Sequence, residues 1–151
     1  MEGQSRGGRL LKASLIAALA LVLVCLSGAA LAADTGERAA VAAAQQWLAL
    51  VDRGDAAASH ATAHPRLAGM FTPELWQARI GQMRRDLGAT VSRRLRAREF
   101  SGELKTPPPQ QYFRFTFEAR MSKGVDMEEV VTCLQGAGGQ WRVADYFAHF
   151  K

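Results

Sequence analysis

Five apolar residues at strict two-residue spacing, Phe113, Phe115, Phe117, Ala119 and Met121, alternate with Tyr112, Arg114, Thr116, Glu118 and Arg120. Alternation of this kind makes a strand with one apolar and one polar face, and the apolar face needs a cover. The cover is expected from the helices upstream. Trp47 and Trp76 are the large side chains that would lie on the phenylalanine row, each burying roughly 150–250 Å². This aromatic cluster is expected to be the energetic centre of the fold.

The helices are legible from their spacing and their punctuation. Asp34 and Glu37 form a capping pattern, after which Ala40, Val41, Ala44, Trp47, Leu48 and Val51 recur every three or four residues. Gly54 ends this helix, because glycine accepts the left-handed cap conformation. Asp55 opens a second, short helix to about Thr62, and His64-Pro65 is expected to break the chain. Thr72-Pro73-Glu74 opens a third helix with a hydroxyl cap and a proline in the first turn. Its stripe is Trp76, Ile80, Met83 and Leu87, and Gly88 stops it.

From Ala89 the period falls to two. Val91, Leu95 and Ala97 are expected on one face, with Ser92, Arg94, Arg96 and Arg98 on the other. Pro107-Pro108-Pro109 cannot join a ladder and reads as a loop. After the phenylalanine strand, Lys123-Gly124 turns into a third strand over about Met127 to Gln135. Gly136 to Gly139 then turns into a fourth, Trp141 to about Phe147. Three N-terminal helices followed by four strands joined mostly by short turns predict an α+β fold, with the helices on one face of an antiparallel sheet.

The N-terminus reads as an export signal. Arg6, Arg9 and Lys12 precede an apolar run from Ala13 to Leu26, and Ala30-Leu31-Ala32 offers small residues two apart for cleavage. Residues 1–32 are therefore expected to be a signal peptide and residues 33–151 a single domain, periplasmic or secreted. An uncleaved inner-membrane anchor is the alternative. A lipoprotein signal is disfavoured by Val24 before Cys25, and Arg6-Gly7-Gly8-Arg9 is no twin arginine. Losing three basic groups (Arg6, Arg9, Lys12) and one acid (Glu2) takes the formal charge from +5 to +3. That charge does not suggest a nucleic-acid partner. Cys133 is the one thiol left, so an internal disulfide is excluded, and its apolar neighbours predict a buried side chain.

Several motifs in order resemble the bacterial domain-of-unknown-function family 4019. They are Ala43-Ala44-Gln45-Gln46-Trp47-Leu48, Asp52-Arg53-Gly54-Asp55, Thr72-Pro73-Glu74-Leu75-Trp76, Leu87-Gly88-Ala89 before Ser92-Arg93, and Trp141-Arg142-Val143-Ala144-Asp145-Tyr146-Phe147. The likeness covers roughly Ala40 to Phe147. It implies an exported or envelope-attached domain, similar to a cystatin-like or nuclear-transport-factor-2-like cone in which a curved sheet wraps around helices. It implies no activity. Cys133 stands where that family usually has an aliphatic residue, and Asp145 where glycine is common.

The chemistry is sparse. Strand alternation puts Asp145 beside Trp141, Val143 and Phe147, where a carboxylate in an apolar hollow would have a raised pKa and could act as a general base. The opposing expectation is that the strand bends near its end and Asp145 meets water or an arginine. His60 and His64 have a spacing that permits joint metal binding on a helix, but Pro65 and the lack of further ligands point to surface histidines and no metal. The Gly136 to Gly139 stretch is a hairpin turn, not a phosphate loop. Arg94, Arg96 and Arg98, about 6.6 Å apart on one face, could grip an anionic surface or polymer, or be a solvated face partly neutralised by Glu118 and Glu128. The leading expectation is a non-catalytic binding or interaction module without a cofactor. Its site is either an aromatic pocket (Trp47, Trp76, Phe113, Phe115, Trp141, with Asp145 at its strand end) or the arginine face. Its partner would be a small ligand, an envelope protein or an anionic surface. A small hydrolase or isomerase using Asp145 is the alternative, and a homodimer through the outer sheet face is a third.

Overall fold

The computed structural model describes residues 35–104 and 110–151, with backbone alone over 101–104. The expected export signal, the expected Asp34 cap and the triple proline lie outside the described residues. Residues Arg38–Lys151 form one unit. Among the described residues, the helices are α1 (35–52), α2 (Ala56–Thr62), α3 (Pro65–Met70) and α4 (Pro73–Leu87). The strands β1 (Thr90–Leu104), β2 (Gln110–Met121), β3 (Asp126–Gln135) and β4 (Trp141–Phe150) follow, in the sheet order β1-β2-β3-β4, each antiparallel to its neighbour. The α+β class is as the sequence predicts. No described helix is long and apolar enough to cross a membrane.

Local chemistry sets the helix ends. At the end of α1, Gly54 has φ +73°, its N–H donates to the Val51 carbonyl and that of Asp55 to Leu50. This double closure is the glycine-dependent helix stop. Asp55 then caps α2 by accepting from the Ala58 N–H at 3.0 Å. The expected break at His64-Pro65 is instead a helix start. Pro65 occupies the first turn of α3, where its missing N–H costs nothing, and His64 Nδ1 accepts from the Arg66 N–H. Thr72 caps α4 as its sequence predicts. Gly88, at φ +80°, ends it beneath Ser122, whose hydroxyl would lie 2.1 Å from any Cβ there.

The helices bury one face of the sheet. Phe113, Phe115 and Phe117 from β2 meet Trp47, Leu48 and Val51 of α1, Leu67 of α3, and Trp76 and Ile80 of α4. Both indoles are locked by one serine. Trp47 Nε1 donates to the Ser59 carbonyl at 2.7 Å, and Trp76 Nε1 donates to the Ser59 hydroxyl at 2.9 Å. That hydroxyl in turn donates to the Ala56 carbonyl. Ser59 is fully buried, so it supplies the polar partners that two buried indoles need. Cys133 is also fully buried, and burial raises its thiol to about 12, which leaves it protonated and unreactive.

Bulges decide which side chains reach the core. In β1 the register shifts between Thr90 and Ser92 and again between Leu95 and Ala97. Between β3 and β4 it shifts after the Asp145–Thr132 pair, so that Val143 faces Cys133 and Ala144 is the extra residue. Each extra residue reverses the alternation that follows it.

Candidate functional site

A groove of about 610 Å³ opens between α1, the end of α2 and the start of β4. Ala43, Gln46, Trp47 and Leu50 line it from α1 and Arg53 from the turn just after it, at the three- and four-residue spacing of one helix face. Ala61 and Thr62 close it from α2, and Gln140 to Val143 form the opposite wall. The walls are set from behind. Trp47 packs against Trp76 and Tyr146 with ring centroids 5.6 and 5.3 Å away, while Trp141 meets Phe113 edge-on at 5.1 Å. The backbone N–H of His64 donates to the Val143 carbonyl at 2.8 Å and so ties α3 to that wall.

Among the described residues, two arginines and no acid line the groove. They are Arg53 and Arg142, and neither guanidinium has a carboxylate partner among the described residues. Burial, and then the charges of Arg142 and Arg66, hold the His64 imidazole below its ordinary pKa. An unoffset guanidinium beside an apolar wall is suited to an anion attached to an apolar body.

A buried ion network lies under the helices. Arg93 of β1 donates to both oxygens of Asp52 at 2.5 and 2.9 Å, and to both oxygens of Glu129 at 2.6 and 3.1 Å. The Tyr146 hydroxyl donates to Glu129 at 2.8 Å and the Thr90 hydroxyl to Asp52 at 2.8 Å. The Arg84 guanidinium donates to the Asp52 carbonyl. Burial works against the Arg93 charge, but its hydrogen bonds to Asp52 and Glu129 outweigh that and raise its pKa. Burial also raises the Tyr146 phenol, and the Glu129 charge adds to it. The network ties the end of α1 to β1, β3 and β4. Its members are mutually satisfied and offer no free acid, base or nucleophile, so we read it as a structural clamp.

Sequence alternation does not anticipate this clamp, although a signal was present. Glu129 falls on the face of Met127, Val131 and Cys133, and Arg93 on that of Leu95. An acid and a base on facing apolar rows require each other.

The residues expected to form an aromatic pocket divide. Trp76, Phe113 and Phe115 are packed into the core, while Trp47 and Trp141 line the groove. Asp145 is not in the apolar interior. It pairs across the ladder with Thr132 on the outer face, and its carboxylate accepts from the Tyr146 N–H at 3.1 Å. The bulge at Ala144 is the cause, since it carries Tyr146 inward in its place. Phe147, expected inside, is 56% exposed for the same reason.

The arginine row is also divided. Arg94 and Arg96 share the Glu118 carboxylate, at 2.6 and 2.8 Å, and Lys151 joins them. Past the bulge, Arg98 stands opposite Phe115, on the other face. Glu128 contacts His149 rather than the arginines. His60 and His64 serve separate ends, His60 Nε2 meeting the Phe71 carbonyl at 2.7 Å while His64 caps α3.

Glu118 provides a titration prediction. Its hydrogen bonds from Lys151 and Arg94 hold its carboxyl down at about 2. A folded pKa below the unfolded value means that its stabilisation is present above about pH 4.3 and is lost as pH falls through the folded value. Carboxyl carbon NMR should find Glu118 titrating near 2, and a midpoint at the ordinary glutamate value would contradict the shared pairing.

These features define a small α+β domain with helices on one sheet face and an arginine-flanked groove at one edge. The chain belongs to the DUF4019 family, proteins of unknown function, whose model matches residues 43–146. None of the curated proteins searched matches it.

Proposed function

We propose that this protein is an exported, periplasmic binding module that performs no chemistry itself and holds a ligand in the α1–β4 groove. The observation that carries the reading is the groove between Trp47 and Trp141, whose flanking Arg53 and Arg142 lack carboxylate partners among the described residues. A preformed concavity with apolar walls and a few convergent polar groups is the usual form of a small-molecule site. The export reading rests on the charged and apolar pattern of residues 1–32. Asp145 lies on the opposite sheet face from the core and gives the general-base alternative no support.

Native mass spectrometry of the mature protein from its own envelope should find a retained small molecule. The adduct should be lost in Trp141→Ala, which shortens the groove wall without touching the clamp. Adduct-free protein under gentle release, or an adduct indifferent to Trp141→Ala, would contradict the groove reading.

A further inference from the structure

We propose that the groove selects an anionic amphiphile, an apolar body bearing a carboxylate or phosphate group. This proposal rests on the binding reading above and adds the chemical class of the ligand.

Three observations support it. The α1 wall offers Ala43, Trp47 and Leu50, and the β4 wall offers Trp141 and Val143, so the greater part of a ligand would meet carbon. Each of these walls also brings one guanidinium, Arg53 from the end of the α1 wall and Arg142 from β4. On the sheet, Arg94 and Arg96 meet Glu118, Arg114 meets Glu99 and Arg120 meets Asp126, whereas no described acid lines this groove. Two guanidiniums that have no carboxylate partner among the described residues, on a groove lined by no described acid, form a local concentration of positive charge. A cation would be repelled there. A neutral ligand would leave the guanidiniums unused.

The remaining polar groups are consistent with the same chemistry. Gln46 and Gln140 carry side-chain amides able to donate hydrogen bonds to carboxylate or phosphate oxygens. Indole walls accept flat rings and acyl chains alike. The class is therefore set by charge and an apolar body rather than by one molecular shape.

The test compares octanoate with 1-octanol, which share a chain and differ in charge, by calorimetry and tryptophan fluorescence on the mature protein. Octanoate should bind roughly tenfold more tightly, the scale of one charge-assisted hydrogen bond. Arg53→Gln and Arg142→Gln should each reduce that preference and leave octanol unchanged, whereas Arg142→Lys should retain much of it. Unaltered circular dichroism and melting will show that the variants fold. Vesicles of phosphatidylglycerol distinguish the source of the anion: they displace octanoate if the groove takes a lipid headgroup and its chain, and leave it bound if it takes a free acid. Equal affinity for octanoate and octanol would overturn the anionic selection while leaving a binding groove. No binding of either would overturn both.

Discussion

Arg93→Met will lower the unfolding free energy by about 3–5 kcal/mol, although methionine nearly fills the space of the arginine stem. The cause is what remains behind. Among the described residues, Arg93 is the guanidinium that reaches both Asp52 and Glu129, and Glu129 is 4% exposed. Without it, the buried Glu129 and the half-buried Asp52 keep only the Tyr146 and Thr90 hydroxyls as side-chain partners. Removing one partner of a buried ion pair costs more than the intact pair contributes, because the stranded charge keeps its desolvation penalty. Urea denaturation gives the value directly. Adding Glu129→Gln to Arg93→Met should recover part of the loss, since one stranded charge is then gone. A loss below about 1 kcal/mol, the range of surface pairs, would mean that water reaches the clamp.

Trp76→Ala will cost a comparable amount, about 3–5 kcal/mol, through a different term. The Trp76 side chain is fully buried, packs on Trp47, Phe71 and Tyr146, and donates to Ser59. Its removal leaves a cavity at the junction of α1, α2, α4 and the sheet. Trp76→Phe separates the two contributions: most of the ring packing survives, the donor to Ser59 is lost, and the expected cost is intermediate. Leu75, the adjacent residue on the exposed side of α4, is the control. Leu75→Ala should lie within about 0.5 kcal/mol of wild type. Equal losses for Trp76→Ala and Leu75→Ala would contradict the placement of the indole.

The two variants show which parts of the molecule were legible in the sequence. Trp76 was legible, because its spacing to Ile80 and Met83 and the strict alternation of Phe113, Phe115 and Phe117 each point to the same core. Arg93 was not, because a charged residue in a strand is ordinarily assigned to solvent. The neighbouring arginines also drew the polar reading onto Arg94, Arg96 and Arg98. Periodicity failed at the bulges for a simple reason: one extra residue reverses every later side chain. Ala144 sends Asp145 out and Tyr146 in, and the shift at Arg96 splits the arginine row. Neither bulge has a glycine or proline to mark it.

The edge position of β1 accounts for the charge it carries. β1 is an edge strand with fifteen residues and one unpaired side. Long flat edges invite pairing with other chains, and bulges with charged side chains discourage it. The arginines of β1 therefore have a physical role in keeping the sheet closed to further strands, whether or not they meet an anionic partner.

The central claim is that Trp47 and Trp76 are fixed inside by Ser59 while Trp141 stands at the wall of a groove open to a ligand. Hydrogen exchange of the three indole N–H groups by NMR, with and without octanoate, tests it most directly. Trp47 and Trp76 should be protected under both conditions, and Trp141 should exchange freely until octanoate slows it. Uniform exchange of all three, or a Trp141 signal indifferent to octanoate, would contradict the account.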